Sequence, residues 1–372
     1  MKKKILILNA TAGLGHINAA KALEEVFDKN HQGIEIINKD ILDFSNGLYR
    51  KIFSDGYTYI SSKLPRVWKW FYNNYNDKNT QALLDWVSKL SIDKKMSAYI
   101  KELKPDFIVA TTPQPSRLIS ENKDEYVRTI PLGTVVTDWG VHAYWFAEET
   151  DYYFVASEQT KLDLEKLDID EHKIHITGIP IRSIFSKKLA KKPLIKKYKL
   201  SENLFTLLII GSEMKVEELE RIVNKMPLDK MNVVLIAGRD KELQDKLKKS
   251  SLGDHKKVKV FGFVDKIEEF LSMADVIASK TGGLTTSECM ALGLPMISHK
   301  VIPGQEEDNI NFLVTHGAGV RAKNADEVAN TINHLVNNPA ELKTMQKNAK
   351  EIGKPHAAQK IAEIIVKRVS SS

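Results

Sequence analysis

Short apolar segments alternate with helix-like segments along nearly the whole chain, and this alternation restricts the fold more than any other feature. Residues 4–9 contain a compact apolar run, and residues 19–27 carry apolar side chains at helical spacing. Strand-like runs that are apolar throughout are typical of parallel sheets covered by helices on both faces. We therefore expect an α/β fold.

The strand-like runs fall into two series, which indicates two domains. The first series continues from residues 4–9 and covers 34–37, 107–110, 132–137 and 152–156. The second series covers residues 204–210, 233–237, 258–261, 276–278, 295–298 and 319–320. Residues 182–199 are basic and turn-prone, and we interpret them as a linker between the two series.

Two such series predict two Rossmann-like, doubly wound domains that face each other across a cleft. Ligands of these folds bind at the carboxyl ends of the strands. We assign residues 1–180 to the first domain and residues 200–352 to the second. Residues 353–372 are predicted to form a C-terminal helix that packs back on the first domain.

The composition is that of a globular protein, with 42% hydrophobic and 28% charged residues among 372. The single cysteine, Cys289, excludes an internal disulfide and a four-cysteine zinc site, so we expect a reducing compartment. No segment approaches the ~20 apolar residues that span a bilayer. The net charge of +7 suits nucleic acid, an anionic lipid surface or phosphorylated small molecules.

The loop after the first predicted strand contains Gly13, Gly15 and His16 where a helix begins. Small residues there let a ligand approach the backbone and the positive end of the helix dipole, and His16 would stand beside that ligand. The same loop is also compatible with a tight turn alone, with His16 as a surface residue.

A second glycine pair, Gly282 and Gly283, follows a predicted strand and begins another helix. This geometry suits a pyrophosphate group, because backbone amides point out of a helix N-terminus. Glu288 lies about a turn and a half further on, where its carboxylate can accept both hydroxyls of a ribose. An ordinary helix start with a solvated glutamate is the alternative.

Gln305, Glu306 and Asn309 lie at the start of a further helix, after a Pro-Gly turn. Their spacing places them on one end or face of the helix, where paired donors and acceptors match the hydroxyls of a sugar. The alternative is an acidic first helical turn that the dipole favours.

Residues 44–72 combine a net charge of +4 with nine aromatic side chains. Apolar residues repeat every four positions, and the cations and tryptophans suit the headgroup layer of an anionic bilayer. A pair of core helices would show the same stripe. We interpret the segment as a membrane-facing acceptor region that includes Tyr57, Arg66, Trp68, Lys69 and Trp70.

Taken in order, these motifs resemble the GT-B glycosyltransferases that include monogalactosyldiacylglycerol synthase and the processive diacylglycerol glucosyltransferases. The likeness rests on Gly-Leu-Gly-His at 13–16, Thr-Asp at 137–138, Thr-Gly-Ile-Pro at 177–180, Gly-Gly-Leu-Thr-Thr at 282–286 and Pro-Gly-Gln-Glu at 303–306. It covers nearly the whole chain. The loop at residues 211–214 departs from the family because it is poorer in glycine.

The resemblance implies a GT-B fold and an inverting transfer of glucose or galactose from a UDP-sugar to diacylglycerol, with one sugar or, in a processive reaction, several sugars added. The enzyme would be peripheral, at the cytoplasmic face of the cell membrane. His16 would be the base that removes the acceptor proton, with Asp138 as its orienting group or as the base itself. Asp138 is also compatible with a helix or loop cap.

The resemblance also implies two sets of binding residues. The donor set is Gly211, Ser212, Phe263, Val264, Thr281, Gly282, Gly283, Leu284, Thr285, Glu288, Gln305, Glu306 and Asn309. The acceptor set adds Gly15, His142 and Trp145 to the five residues of the membrane-facing segment. We expect no metal and no other cofactor, because the helix terminus at Gly282 can stabilise the diphosphate. No nucleic-acid partner is expected.

Two other functions would use many of the same features. A UDP-N-acetylglucosamine 2-epimerase shares the two-domain architecture and the nucleotide site, but it has no use for the aromatic and basic segment. A non-catalytic sensor of UDP-sugars would bind the nucleotide and a protein partner, and it would not need His16 and Asp138.

Overall fold

The computed structural model describes residues 2–10, 14–46, 50, 77, 80, 82, 92–211, 214–253, 255–299 and 305–371. For Leu14 and Gln305 it describes the backbone alone.

The first half of the chain forms a six-stranded parallel sheet. Its strands are β1 (Lys3–Asn9), β2 (Ile34–Asp40), β3 (Phe107–Ala110), β4 (Leu132–Val135), β5 (Tyr152–Val155) and β6 (Ile174–Ile176). The helices described here are α1 (Leu14–Asn30), α2 (Lys94–Leu103), α3 (Pro113–Ser120), α4 (Glu125–Thr129) and α5 (Glu158–Glu165). Short 3₁₀ helices cover Ile41–Phe44, Ala143–Trp145 and Glu171–Lys173. The strand order is β2-β1-β3-β4-β5-β6.

The second half forms another six-stranded parallel sheet. Its strands are β7 (Phe205–Ile210), β8 (Met231–Ile236), β9 (Val258–Phe261), β10 (Val276–Ser279), β11 (Met296–Ser298) and β12 (Gly319–Arg321). A 3₁₀ helix covers Ser183–Ser186. The helices are α6 (Lys191–Lys197), α7 (Val216–Val223), α8 (Lys241–Lys249), α9 (Ile267–Met273), α10 (Gly283–Ala291), α11 (Gln305–Thr315), α12 (Ala325–Asn337) and α13 (Pro339–Ile352). The strand order is β12-β11-β10-β7-β8-β9.

The strands read as continuous apolar runs because both faces of each sheet are covered. Along β1, Ile5 and Ile7 pack into one hydrophobic core, while Leu6 and Leu8 pack into another. Successive side chains of a strand point to opposite faces, so an apolar residue is needed at every position. Fixed strand positions in turn fix the loops that leave the carboxyl ends.

The strand orders reverse direction at one point in each sheet. β1 lies between β2 and β3, and β7 lies between β8 and β10. Loops that leave neighbouring strands at such a point diverge and leave a crevice, which is where ligands of these folds bind. The loop before α1 and the loop before α10 both leave strands at these points.

The last helix of the described chain, α14 (Ala357–Ser370), returns to the first half. Its Ile361 and Ile365 share a hydrophobic core with Leu23 and Phe27 of α1. The chain therefore crosses between the halves twice. In the described part, no helix is long and apolar enough to cross a membrane.

The predicted α/β architecture of two doubly wound halves is confirmed, and two details of the prediction were wrong. Strand β6 was not predicted, because its three residues are too few to show a pattern. Residues 182–199 are not an irregular linker. They contain the 3₁₀ helix and α6, and Leu194 and Ile195 of α6 pack into the core of the second half.

Candidate active site

The imidazole of His16 lies where the loops after β3 and β4 meet the start of α1. Its Nδ1 is 2.9 Å from the carbonyl oxygen of Thr111, just after β3. The same Nδ1 is 2.8 Å from Oγ1 of Thr137, just after β4. The hydroxyl of Thr111 donates to the carbonyl oxygen of His16 at 3.1 Å. The ring is therefore held by two loops that are far away in sequence.

These contacts determine which nitrogen of His16 carries the proton. A backbone carbonyl can only accept, so Nδ1 donates to Thr111 and Nε2 keeps a lone pair. Burial lowers the pKa of His16 to about 4, and the hydrogen bond to Thr111 opposes that decrease. At neutral pH the side chain is an uncharged imidazole with a free lone pair on Nε2, which is the form that a general base requires.

Asp138 lies in a short buried segment that reaches from His16 toward the second half. It directly follows Thr137 and is buried. The next residue, Trp139, packs its ring against Phe312 of α11, with the ring centroids 4.2 Å apart. Thr137, whose hydroxyl contacts His16, therefore directly precedes Asp138, the other residue predicted to act on the acceptor hydroxyl.

The N-terminus of α10 lies against this segment. A Cβ on Gly283 would be 2.2 Å from the carbonyl oxygen of Thr137, so a larger residue could not allow the same approach. A Cβ on Gly282 would meet no described atom within 4 Å. Leu284 and Thr285 follow in the first turn and are half-buried. The positive end of the α10 dipole is thus next to Thr137, at a place that suits a diphosphate.

Glu288 is a buried carboxyl group without a hydrogen bond to any described residue, and only 9% of it is exposed. Burial raises its pKa to about 8. The charge of Arg182 opposes that increase, and the charge of Glu268 adds to it. Arg182 itself donates to Glu268 at 2.9 Å. Because buried polar groups in native proteins are almost always paired, the Glu288 carboxyl is a candidate for contact with a ligand.

The polar side chains at the start of α11 have different surroundings from one another. Asn309 is fully buried, and its Nδ2 donates to the carbonyl oxygen of Thr281 at 2.6 Å. Its Oδ1 accepts from the backbone N–H of Trp139 at 3.2 Å. The hydroxyl of Thr281 donates to the carbonyl oxygen of Glu306, whose side chain is buried. The side chain of Gln305 lies outside the described residues.

Thr281 and Asn309 were predicted to be among the donor-binding residues, and that assignment stays a prediction. Both groups of the Asn309 carboxamide and the hydroxyl of Thr281 are used by the protein's own backbone. Spacing alone could not show this, because it places residues on a helix face without saying what covers that face.

Four further residues predicted on the donor side follow strands of the second sheet in sequence. Gly211 directly follows β7, and Ser212 lies outside the described residues. Phe263 and Val264 follow β9. The ring of Phe263 is 56% exposed, and the guanidinium group of Arg239 lies 5.1 Å from its centroid. An exposed aromatic ring at this position is available for stacking against a flat ligand group.

Of the residues predicted on the acceptor side, the structure describes Gly15, His142 and Trp145. Gly15 is half-buried, and a Cβ there would meet no described atom within 4 Å. Burial lowers the pKa of His142 to about 3. Trp145 is 1% exposed and packs with Val136 and Tyr153 in a core cluster.

The membrane-facing segment lies almost entirely outside the described residues, as do Tyr57, Arg66, Trp68, Lys69 and Trp70. Phe44, at the start of the segment, belongs to a hydrophobic core of the first half. Its ring lies 5.3 Å from that of Tyr99. The first residue of the segment therefore packs inside the protein.

The chain has one Asp-x-Asp tripeptide, Asp168 to Asp170, and this spacing is one that metal-dependent glycosyltransferases use. Asp170 accepts from the backbone N–H of His172 and caps a 3₁₀ helix. The tripeptide precedes β6, so it is near the amino ends of the parallel strands and opposite the cleft. In the described part of the chain, this tripeptide included, no three His, Cys, Asp or Glu side chains form a candidate metal site.

Two residues of this region were missed by sequence reasoning. Trp139 directly follows the predicted Asp138, but its role depends on contacts with α10 and α11. His299 follows β11, is buried, and has its Nε2 3.2 Å from the carbonyl oxygen of Ile210 at the end of β7. A histidine after a strand was the available signal, and only the strand order shows that it reaches β7.

Two family models match the chain, one for each half. Residues 16–181 match the model described as monogalactosyldiacylglycerol (MGDG) synthase. Residues 190–352 match glycosyl transferases group 1. The chain is also 30% identical to the processive diacylglycerol beta-glucosyltransferase of Bacillus subtilis (strain 168), over 98% of this chain and 95% of that protein.

Solved structures show the same fold at low sequence identity. MurG of Acinetobacter baumannii has a TM-score of 0.63 and 14% identity, covering 98% of this chain and 99% of that one. The complex of S. aureus MnaA with UDP has a TM-score of 0.62 and 15% identity, covering 100% of this chain and 97% of that one.

Proposed function

Because the chain belongs to the glycosyltransferase family that includes the processive diacylglycerol beta-glucosyltransferases, we propose that it transfers a hexose from a UDP-sugar to diacylglycerol. Family membership confirms the resemblance expected from the motifs, and the chain is a glycosyltransferase. The name of the Bacillus subtilis relative favours glucose over galactose as the hexose.

One observation supports this proposal above the others, namely the position of Thr137. Its hydroxyl contacts His16 Nδ1 at 2.8 Å, and its carbonyl oxygen packs against Gly283 at the start of α10. One residue thus touches both the candidate base and the candidate diphosphate site. A transferase needs these two groups on opposite sides of a single reacting carbon.

In the proposed step, Nε2 of His16 takes the proton of the acceptor hydroxyl while that oxygen bonds to the anomeric carbon. The bond from this carbon to the diphosphate oxygen breaks, and UDP leaves with the bonding electron pair. The acceptor enters opposite the leaving group, so the configuration inverts. The N-terminus of α10 stabilises the charge that grows on the diphosphate. Asp138 is the second candidate for the base.

For the nucleotide, we assign Glu288 to the ribose hydroxyls and the backbone near Phe263 and Val264 to the uracil. Glu288 suits this role because its carboxyl group is buried and has no hydrogen bond within the described protein. Two ribose hydroxyls would satisfy it. No metal ion takes part in this proposal, so chelation with EDTA should change the transfer rate by less than about twofold, because the fixed dipole of α10 remains.

The direct test is a transfer assay. Purified protein is incubated with diacylglycerol-containing vesicles and either radiolabelled UDP-glucose or UDP-galactose, and the lipids are then separated. We expect label in glucosyldiacylglycerol, and labelled products with more than one sugar would show processive addition. If neither nucleotide sugar labels a lipid, the proposal is wrong. Conversion of UDP-N-acetylglucosamine to its 2-epimer in the same assay would favour the epimerase instead.

The membrane role of residues 44–72 remains a sequence-based proposal, at the cytoplasmic face of the membrane. Cations near an anionic surface contribute roughly 1 kcal/mol each, and salt screens that attraction. Vesicle binding should therefore increase with anionic lipid and decrease with salt. Replacing Trp68 and Trp70 together with alanine should weaken co-sedimentation at every salt concentration. If instead the melting temperature falls while vesicle binding is unchanged, the segment is a core element.

A further inference from the structure

Trp139 is buried between the two halves of the molecule, with only 4% of its surface exposed. Its backbone N–H donates to Asn309 of α11, and its carbonyl oxygen accepts from the hydroxyl of Thr160 at 2.8 Å. Its ring packs against Phe312, and its indole N–H lies 3.5 Å from the carbonyl oxygen of Gly283. The residue after Asp138 is therefore held by α5 of the first half and by both α10 and α11 of the second.

Asn309 is the polar side chain that completes this connection. Its Oδ1 accepts from Trp139 in the first half, and its Nδ2 donates to the carbonyl oxygen of Thr281, two residues before α10 begins. The side chain is fully buried. One carboxamide thus ties the segment that carries Asp138 to the loop that carries the candidate diphosphate site.

Two glycines allow the halves to approach closely around this carboxamide. A Cβ on Gly140 would lie 2.2 Å from Oδ2 of Asp308, and a Cβ on Gly283 would lie 2.2 Å from the carbonyl oxygen of Thr137. Any side chain at either position would push the two halves apart. Each half therefore contributes one glycine to the close contact. Gly140 of the first half faces α11, and Gly283 of the second half faces the loop after β4.

We propose that Asn309 is a positioning residue that fixes the segment Thr137 to Trp139, and through Thr137 the ring of His16, relative to the N-terminus of α10. The inference rests on the proposed function for the roles of His16 and α10. Asn309 acts through Trp139 and Thr281 and does not touch the sugar, because it is fully buried and its carboxamide bonds to the protein's own backbone. Reacting groups that are misplaced by about 1 Å can lose about a hundredfold in rate.

The kinetic test compares Asn309→Ala with Asn311→Ala, an exposed asparagine on the same helix. We expect Asn309→Ala to lower kcat by roughly 10–100-fold, while the KM for the UDP-sugar and the affinity for UDP change less than about threefold. Asn311→Ala should behave as the wild type. A raised KM for the UDP-sugar with unchanged UDP affinity would show that Asn309 contacts the hexose and would overturn the proposal.

A second variant separates the two bonds of the carboxamide. Asn309→Asp keeps an oxygen that can accept from Trp139, but it replaces the donor to Thr281 with a second acceptor. We expect it to bind UDP less tightly than Asn309→Ala does, because the repulsion disturbs the loop that precedes α10. Equal UDP affinity in the two variants would contradict the assignment of the Thr281 bond.

Hydrogen exchange supplies a readout that does not depend on activity. The amide of Trp139 should exchange about tenfold faster in Asn309→Ala than in the wild type and in Asn311→Ala, because it loses its acceptor. Unchanged exchange would refute the connection. A wild-type protein that transfers no hexose would refute the proposed function, while the exchange experiment would still decide on the connection.

If Asn309→Ala fails to fold, the glycines offer another test. Gly140→Ala should lower kcat by inserting a methyl group against Asp308, without removing any polar group. Adding Asp308→Gly removes the atoms that the methyl group meets, so the double variant should recover activity relative to Gly140→Ala. A double variant no better than Gly140→Ala would show that close approach at this point is unimportant and would overturn the proposal.

Discussion

His16 in the first half and Glu288 in the second are both buried titratable groups, and burial shifts both pKa values toward the uncharged form. It lowers the pKa of His16 to about 4 and raises that of Glu288 to about 8. The surroundings differ, however. The His16 ring contacts Thr111 and Thr137, whereas the carboxyl group of Glu288 has no hydrogen bond to a described residue. Contacts within the protein satisfy the hydrogen bonding of the His16 Nδ1, whereas no contact within the described protein does so for the Glu288 carboxyl group.

This difference indicates what each half contributes. The orientation and protonation state of His16 are established before any substrate arrives, because a backbone carbonyl selects the tautomer. The burial of Glu288 has a cost that the charge of Arg182 offsets in part and that hydroxyl groups of a ligand would offset further. We therefore expect the acceptor-side chemistry to be preorganised and the donor side to gain most from binding.

The largest effect is expected from removing the imidazole of His16. His16→Ala should lower turnover by about 10²–10⁴-fold, because general-base catalysis contributes that much. UDP affinity should stay close to that of the wild type, since the ring contacts the loops of the first half. Turnover and UDP calorimetry measure the two effects, and His172→Ala, at an exposed position, is the control.

Asp138→Asn should be measured beside His16→Ala. Wild-type turnover in His16→Ala together with an inactive Asp138→Asn would reverse the two roles and make Asp138 the base.

A smaller effect is expected from removing the carboxyl group of Glu288. Glu288→Ala should weaken UDP binding by roughly 10–100-fold, because two hydrogen bonds to the ribose are lost at about 0.5–1.5 kcal/mol each. Glu288→Gln should lose less, since its amide can still pair with one hydroxyl. The measurement is UDP calorimetry, with Glu341→Ala as an exposed control. Unchanged affinity in a folded Glu288→Ala protein would remove Glu288 from the nucleotide site.

The smallest effects concern stability, where the two groups should act in opposite pH directions. The unfolded chain binds a proton at His16 near pH 6.5 and the folded protein only near pH 4, so His16 removes stability as the pH falls through this window. The folded protein keeps a proton on Glu288 up to about pH 8, and the unfolded chain loses it near pH 4.5. Glu288 therefore removes stability as the pH rises through that window.

Each contribution is expected to be a few kcal/mol across its window, at about 1.4 kcal/mol per pKa unit. Urea unfolding at a series of pH values checks this with His16→Ala and Glu288→Gln. His16→Ala should reduce the loss of stability on the acid side of the profile. Glu288→Gln should reduce the loss of stability between pH 4.5 and about 8. Identical pH profiles for both variants and the wild type would mean that neither group is desolvated as the structure indicates.

Much of the candidate site could be predicted from the sequence, because its residues follow the ends of strands. The loop with His16, the Thr-Asp pair at 137–138 and the glycines before α10 each follow an apolar run, and parallel strands bring such loops to one edge. The roles of Asn309 and Thr281 were not accessible, because helical spacing does not show which partner a side chain will meet. The helix at Lys191–Lys197 was missed because its lysines and proline resemble a linker, while only Leu194 and Ile195 are buried.

The sequence by itself determined the two parallel sheets, the family and the location of the glycine loops, because hydrophobic periodicity and short motifs are local properties of a chain. The tertiary structure decided how the groups are connected. The proton of His16 is placed by a carbonyl 95 residues away, and Asn309 reaches Trp139 170 residues away. Contacts over such separations depend on strand order and on the approach of the two halves, which no local pattern contains.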